Sequence, residues 1–294
     1  MYLVFLSCIL LSFSTVYAHT LVQQMDPLII VFYTFSIAFI LVNLIYINKT
    51  KDLYVNIKTN FKYVLLINIS TAIDWLLIFI ALKFINASLI NCFVFGVAPI
   101  TTLMLSFGKY NSSKIFIKDF IICMLVMFIL IGLSMAYYKN HIQSTSNFDL
   151  FLGVILSVAS GVATGVTAYG SRLLYEKKFT TSMVVKSRYV VIILLTLTII
   201  LLKSISIEIS LTKLLSLSLL SFLFIIIPAF LLQKGLEKIL PVLAVVISSS
   251  IPVLTYLFQF IEPSFIIKIN ELIYVIMLSI VIGSTGIINK IMKV

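Results

Sequence analysis

Apolar runs of about 20 residues recur along the whole chain of 294 residues, and short links separate them. A run of this length crosses about 30 Å of hydrocarbon as an α-helix. Because the hydrocarbon holds no water to satisfy a free backbone N–H or C=O group, each spanning run must be helical. Hydrophobic residues make up 62% of the sequence and charged residues 11%, so a water-soluble domain is excluded. The sequence therefore predicts an all-α integral membrane protein.

Ten transmembrane helices are predicted from these runs. They lie at about 1–18, 28–47, 63–82, 86–106, 116–138, 150–171, 184–203, 214–233, 240–260 and 270–289. The first run, Met1–Ala18, has an alternative interpretation as a signal peptide, because its end resembles a small-residue cleavage site. It lacks a basic n-region, and its removal would leave nine spans instead of two halves of five. We therefore expect Met1–Ala18 to be retained as a helix.

The basic residues predict how the chain is oriented in the membrane. Of the 21 lysines and arginines, 16 lie in links on the side of the N-terminus, and the other five are Lys83, Lys139, Lys203, Lys213 and Lys268. The positive-inside rule then places both termini in the cytoplasm. The formal net charge of +11 does not indicate nucleic-acid binding, because the charges lie in links and form no basic face with interleaved aromatics.

An internal repeat relates the two ends of the chain. Ala81–Ser106 and Gly235–Gln259 share an order of features, namely a small residue and leucine, a charge, an aliphatic run, small polar residues and then proline. Pro99 corresponds to Pro252. The predicted domains are a first five-helix repeat at 1–138, an extracytoplasmic link at 139–149 and a second repeat at 150–294. Because each repeat has an odd number of spans, the second is inverted relative to the first.

Asp74 is the one acidic residue near the middle of a predicted span. A carboxylate there costs at least about 2.5 kcal/mol on insertion scales, so we expect it to face a polar cavity or a partner. Asn68, Thr71 and Trp75 recur at helical spacing beside it and give the third helix a polar and aromatic side. Asp74 is predicted to bind a substrate ammonium group or to take up a coupling proton. A structural aspartate bonded to neighbouring helices is the alternative.

Other polar residues complete the predicted substrate site. Arg188 is placed about one turn inside the cytoplasmic end of helix seven, where snorkelling to the interface or fixing a helix end is the favoured role and contact with a substrate carboxylate is the alternative. Asn91 and Ser249 precede the helix-breaking prolines, which are expected to bring their two helices face to face. Trp75, Tyr169 and Tyr256 are candidates for an aromatic lining, with plain packing as an equal alternative for each. The candidate substrate-binding residues are Asp74, Trp75, Thr71, Asn91, Ser249 and Arg188.

Small residues follow one face of helix six at intervals of three or four. They are Gly153, Ser157, Gly161, Thr164, Gly165 and Ala168. Such a stripe allows two helix backbones to approach closely, so it predicts packing rather than substrate contact. Cys8, Cys92 and Cys123 lie in apolar runs and are expected to be small core residues, whereas His19 and His141 are placed in solvated links.

The sequence resembles the EamA-type family of the drug/metabolite transporter superfamily. The resemblance rests on the segment Ala81–Pro99 with its counterpart Gly235–Pro252, on Asp26-Pro27, on the pair Arg188-Tyr189 and on Glu262. It implies ten helices in two inverted repeats and the movement of small organic metabolites, often amino acids, through a central cavity. Thr34 and Lys109 depart from the residues that the family often has at these positions, which are arginine and glutamate, and the first helix lacks the usual tryptophan-glycine pair.

The favoured function is therefore a secondary transporter in the bacterial inner membrane, working by alternating access and most simply as an exporter. An importer of a metabolite or vitamin, a membrane-embedded enzyme, and a passive channel or accessory subunit are the alternatives. The sequence holds no P-loop, nucleophile elbow or metal-ligand spacing, so no catalytic residue, cofactor or metal site is predicted. The expected partners are a small-molecule substrate, the lipid bilayer and a coupling proton, with no nucleic acid, and the expected assembly is a monomer or homodimer.

Overall fold

The structure is a computed structural model that describes residues 1–45, 56–106, 113–141, 146–239, 244, 247–248, 250–262 and 268–291. In the first half of the described chain the helices are α1 (Tyr2–Val22), α2 (Pro27–Ile45), α3 (Phe61–Ala81), α4 (Ala87–Leu105) and α5 (Ser113–His141). In the second half they are α6 (Asn147–Glu176), α7 (Thr181–Ser187), α8 (Val190–Leu202), α9 (Leu211–Leu219), a π-helical turn (Leu220–Ile226), α10 (Ile227–Leu236), α11 (Ile251–Phe258), a 3-10 turn (Gln259–Ile261) and α12 (Ile269–Ile291).

The helices confirm a multi-pass membrane protein. Within the described residues, eight helical segments are long and apolar enough to cross a membrane, and two shorter apolar helices, Ile251–Ile261 and Ile269–Leu278, follow them. The ten-helix inverted repeat, its domain boundaries and the cytoplasmic termini stay predictions. Several of the basic residues that carried the orientation argument, Lys49, Lys51 and Lys109 among them, lie outside the described residues.

Helix α1 packs inside the folded body against helices from the second half of the chain. The Ser7 hydroxyl donates to the Pro228 carbonyl oxygen at 2.9 Å, and the Ser12 hydroxyl donates to the Ile251 carbonyl oxygen at 3.1 Å. Both serine side chains are fully buried. Interhelical hydrogen bonds of this kind satisfy polar groups that the hydrocarbon would leave without partners, so α1 is an integral part of the bundle.

The small-residue face of α6 lies directly against α4, which confirms the predicted packing role. A Cβ atom added at Gly161 would lie 2.8 Å from the Val94 carbonyl oxygen, and one at Gly165 would lie 2.7 Å from the Ala98 carbonyl oxygen. The two backbones therefore approach more closely than any side chain permits. This contact fixes α6 beside the helices that surround the cavity described below.

The two proline-bearing helices, α4 and α11, contact each other as expected. The Asn91 amide nitrogen donates to the Thr255 hydroxyl at 2.8 Å, and both side chains are buried. The Thr255 hydroxyl in turn donates to the Ile251 carbonyl oxygen at 2.8 Å. A chain of hydrogen bonds thus links the first predicted repeat to the second.

A double-mutant cycle on Asn91 and Thr255 is expected to reveal this link. Asn91→Leu and Thr255→Val each remove one partner, so the two changes should be less than additive in the free energy of unfolding. Hydrogen bonds between membrane helices average about 0.6 kcal/mol in such cycles and reach about 1.7 kcal/mol. Unfolding of the purified protein in mixed detergent micelles measures the coupling. Strict additivity would mean that the hydrogen bond contributes nothing to stability.

Candidate functional site

A central cavity opens between the helices of both halves. Its volume is about 90 Å³, counted as the space that the centre of a water molecule can occupy. Because one water needs about 10–15 Å³ on this measure, the cavity holds several waters or the polar part of a small solute. Helices α1, α3, α4, α6 and α10, the junction of α7 and α8, and the π-helical turn all contribute lining residues.

Asp74 of α3 lines this cavity, and hydroxyl groups of α6 hold its carboxylate. The Ser160 hydroxyl donates to Oδ1 at 2.6 Å and the Thr164 hydroxyl donates to the same oxygen at 2.8 Å. Among the described residues, Oδ2 has no hydrogen-bond partner. One carboxylate oxygen is therefore fixed by the protein, while the other is available to a cation or proton in the cavity.

Arg188 lies at an interruption between α7 and α8, and its side chain is only 6% exposed. Its Nη2 atom donates to the Thr71 hydroxyl at 3.2 Å, and its guanidinium carbon lies 5.8 Å from the centre of the Tyr189 ring. Its Nε atom is buried without a hydrogen-bond partner in the described part of the chain. Although Arg188 and Asp74 line the same cavity, no salt bridge of 4.0 Å or less joins them there.

The predicted span at 184–203 corresponds to the apolar segment Thr181–Leu202, but this segment contains a short interruption that the sequence did not predict. The helix stops at Ser187 and restarts at Val190, so Arg188 projects from a break rather than from a regular turn. No glycine or proline lies between Thr181 and Leu202 to indicate a break. The guanidinium is enclosed by the bundle instead of extending to the protein surface, which argues against snorkelling.

Aromatic rings form one wall of the cavity. The Phe35 ring packs against the Trp75 ring and the Tyr189 ring, with 5.5 Å between ring centres in each case. Trp75 and Tyr189 line the cavity, whereas Tyr169 and Tyr256 lie away from it. The proposed aromatic lining is therefore right for Trp75 and wrong for the two tyrosines. Edge-to-face contacts of this kind hold large side chains in fixed orientations.

Sequence reasoning missed three polar residues of the site. Ser160 and Thr164 hold Asp74, although Thr164 was assigned to the packing stripe. Gln233 is buried and lines the cavity, where its amide nitrogen donates to the Ser171 hydroxyl at 3.1 Å and its side-chain oxygen accepts from the Tyr175 hydroxyl at 2.8 Å. A lone glutamine in an apolar run was the available signal for this residue.

The predicted site residues come together as follows. Asp74, Trp75, Asn91 and Arg188 line the cavity directly. Thr71 reaches the site through its hydrogen bond with Arg188. Ser249 lies outside the described residues, and its neighbour Ser248 lines the cavity. That these residues bind a substrate stays a prediction.

His19 does not lie in a solvated link, so that expectation is wrong. It occupies the last turn of α1, and its Nδ1 atom lies 3.0 Å from the Oε1 atom of Glu262. The pair ties the end of α1 to the 3-10 turn after α11. Within the described residues no group of three or more histidine, cysteine, aspartate or glutamate side chains is placed to hold a metal ion.

Fold and site together define a multi-pass helical membrane protein whose largely apolar cavity contains a few polar and charged side chains, Asp74 and Arg188 among them. The model of the EamA-like transporter family matches residues 1–137, which agrees with the family resemblance found in the sequence and suggests a membrane transporter. A solved structure described as "Crystal structure of protein" has the same fold, with a TM-score of 0.68 and 13% identity over 99% of this chain and 98% of that one. No curated protein matches the sequence.

Proposed function

We propose that the chain is a secondary transporter that moves a small amino-acid-like metabolite by alternating access. One observation carries this proposal: Asp74 and Arg188 line the same cavity, yet each is hydrogen-bonded to a hydroxyl group and not to the other. Two opposite charges in one enclosed space would ordinarily pair, since a buried charge is costly without a counter-ion. A zwitterionic substrate supplies both missing partners, its ammonium to Asp74 and its carboxylate to Arg188.

Interrupted helices at the cavity support a carrier that changes shape. Arg188 and Tyr189 lie at the break between α7 and α8, and Ile225 of the π-helical turn also lines the cavity. Transporters place their substrate sites at discontinuous helices near the middle of the bundle, because unwound segments expose polar backbone and reorient readily. π-helical turns are likewise frequent at functional sites.

The finer parts of the proposal concern energy and direction. The sequence has no ATP-binding motif, so transport draws on a gradient, and Asp74 is the group we propose to carry a coupling proton. We propose export across the bacterial inner membrane as the working direction, by a monomer or homodimer. Small metabolites of the amino acid or related amine and carboxylate class are the expected substrates.

A counterflow screen in proteoliposomes tests the function. Wild type and Asp74→Asn are compared across amino acids, amines, nucleosides and vitamins, at two pH values. We expect saturable exchange of one chemical class that falls about tenfold or more in Asp74→Asn, as when a charged hydrogen-bond partner is removed. Any residual exchange in the variant should no longer respond to pH.

Asp26→Asn is the matched control for this screen. Asp26 lies outside the cavity, where its Oδ1 atom accepts from the Leu28 backbone N–H at 2.8 Å and its Oδ2 atom lies 3.9 Å from Lys83 Nζ. Asparagine retains that acceptor, so exchange should stay near wild type. Equal exchange by Asp74→Asn and wild type would reduce Asp74 to a structural residue. Failure of the folded wild type to exchange any compound would favour an enzyme or channel over a carrier.

A further inference from the structure

The side chain of Asn68 stands inside the break between α7 and α8. Asn68 belongs to α3 and is 4% exposed. Its amide nitrogen donates to the Ser187 carbonyl oxygen, and its side-chain oxygen accepts from the Val191 backbone N–H at 3.4 Å. The same nitrogen also contacts the Val64 carbonyl oxygen of its own helix at 2.9 Å.

We propose that Asn68 is the positioning residue that keeps this helix interrupted and so places Arg188 in the cavity. In a continuous α-helix the Val191 N–H would donate to the carbonyl oxygen four residues back, which is that of Ser187. Here the Val191 N–H and the Ser187 carbonyl oxygen each bond the Asn68 carboxamide instead of each other. Insertion of a side chain into the hydrogen-bond ladder is one of the established causes of a sharp break, and the two Asn68 hydrogen bonds show that insertion here.

The same side of α3 then receives the released arginine. Thr71 lies three residues after Asn68 and therefore on the same helix face, and its hydroxyl accepts from Arg188 Nη2 at 3.2 Å. Asp74 follows three residues later and lines the cavity. Two successive turns of α3 thus contact the break and hold its arginine, and the next turn presents the opposite charge to the cavity. The importance of Arg188 for a substrate carboxylate rests on the proposed function, whereas the clamp itself does not.

Arginine modification tests the clamp without any substrate. The sequence has two arginines, Arg188 and Arg172, so phenylglyoxal labelling read by peptide mass spectrometry carries its own internal reference. In Asn68→Leu the Val191 N–H can donate to the Ser187 carbonyl oxygen, as in a continuous helix. Arg188 then turns away from Thr71, and its guanidinium loses that hydrogen bond. We expect the labelling rate of Arg188 relative to Arg172 to rise about fivefold or more, the factor for one buried hydrogen bond left unmade. Asn68→Asp keeps the side-chain size and an acceptor but loses the amide donor, and it should show the same direction of change.

Asn43→Leu is the matched control. The Asn43 amide nitrogen bonds the Phe39 carbonyl oxygen of its own helix at 2.8 Å, which copies the contact of Asn68 with Val64 but involves no second helix. The Arg188 labelling rate should not change in this variant. An Arg188 rate within about twofold of wild type in folded Asn68→Leu and Asn68→Asp would overturn the proposal, because the expected factor for the lost bond is larger.

Transport separates this proposal from the proposed function. In the Asn68 variants we expect a weaker preference for a transported amino acid over its decarboxylated amine. If Arg188 labelling rises while that preference is unchanged, the clamp stands and the assignment of Arg188 to a substrate carboxylate fails. If neither changes, the clamp fails, and the substrate site is tested by direct substitution of Arg188.

Discussion

Gly165→Ala is expected to lower the free energy of unfolding by about 1–3 kcal/mol, the usual cost of forcing extra volume into a packed core. A Cβ atom at this position would lie 2.7 Å from the Ala98 carbonyl oxygen and 2.7 Å from the Thr101 Cβ atom. The first of these is backbone, so relief requires the whole of α4 to shift. The Thr102 hydroxyl also contacts the Gly165 carbonyl oxygen at 3.3 Å, and separation of the helices would lengthen that contact.

Gly153→Ala provides the comparison on the same helix face. There the nearest atoms to an added Cβ belong to the Ile85 side chain, at 2.9 to 3.2 Å, and one side chain is displaced at lower cost than a helix backbone. Alanine also gains up to about 1 kcal/mol over glycine in a helix interior, which offsets part of the clash. We therefore expect Gly153→Ala to unfold near the wild-type temperature. Thermal unfolding in detergent measures the stability of both variants. Equal losses of stability would show that contact with the α4 backbone does not determine the effect of the added methyl group.

The length of the apolar runs was sufficient to locate the eight long apolar helices of the described residues. The predicted span at 28–47 corresponds to α2 (Pro27–Ile45), and the span at 86–106 corresponds to α4 (Ala87–Leu105). The length of an apolar run has to match the thickness of the hydrocarbon core, so such spans can be identified without tertiary information. The end of a helix depends instead on local caps, and α6 (Asn147–Glu176) extends past its predicted limits of 150–171 at both ends.

The break at Arg188 had no local signal, because its cause lies elsewhere in the chain. Asn68 and Ser187 are 119 positions apart, and the carboxamide of one satisfies the backbone of the other. The apolar run in α8 is β-branched but must be helical in a membrane, and without glycine or proline it predicts an uninterrupted helix. Side-chain insertion is a tertiary interaction, so it could be recognised only when α3 and α7 were seen side by side.

Asp74 was identifiable from sequence, but its partners were not. A carboxylate in an apolar run is costly enough to mark a site by itself. Serine and threonine are inexpensive in membrane helices, because their hydroxyls can bond the carbonyl oxygen one turn back. Ser157 does so with Gly153, whereas Ser160 reaches across to Asp74. The two serines thus have different roles, and their spacing along the helix does not predict the difference.

Arg188→Gln is expected to abolish the preference of the carrier for carboxylate-bearing substrates. Exchange of the best substrate in the counterflow screen should fall about tenfold or more, the range for a charged hydrogen-bond partner that is lost. The decarboxylated analogue, which has no group for Arg188 to bind, should be exchanged at nearly the wild-type rate. Glutamine is neutral but retains an amide donor for the Thr71 hydroxyl. The substitution therefore removes the positive charge and keeps most of the side-chain packing.

Arg172→Gln is the matched control, since Arg172 lies on α6 outside the cavity and pairs with Glu176 at 3.7 Å. Both arginine variants should fold, and only Arg188→Gln should discriminate between the substrate and its amine. In Asp74→Asn we expect the opposite specificity: exchange of the substrate should fall, whereas exchange of its deaminated analogue should stay near the wild-type rate. Equal losses for substrate and analogue in Arg188→Gln would mean that the guanidinium supports the bundle and does not bind the carboxylate. Because the two charges are held by separate hydroxyl groups, each variant should leave the hydrogen bonds of the other charge in place, and the two variants should spare different analogues.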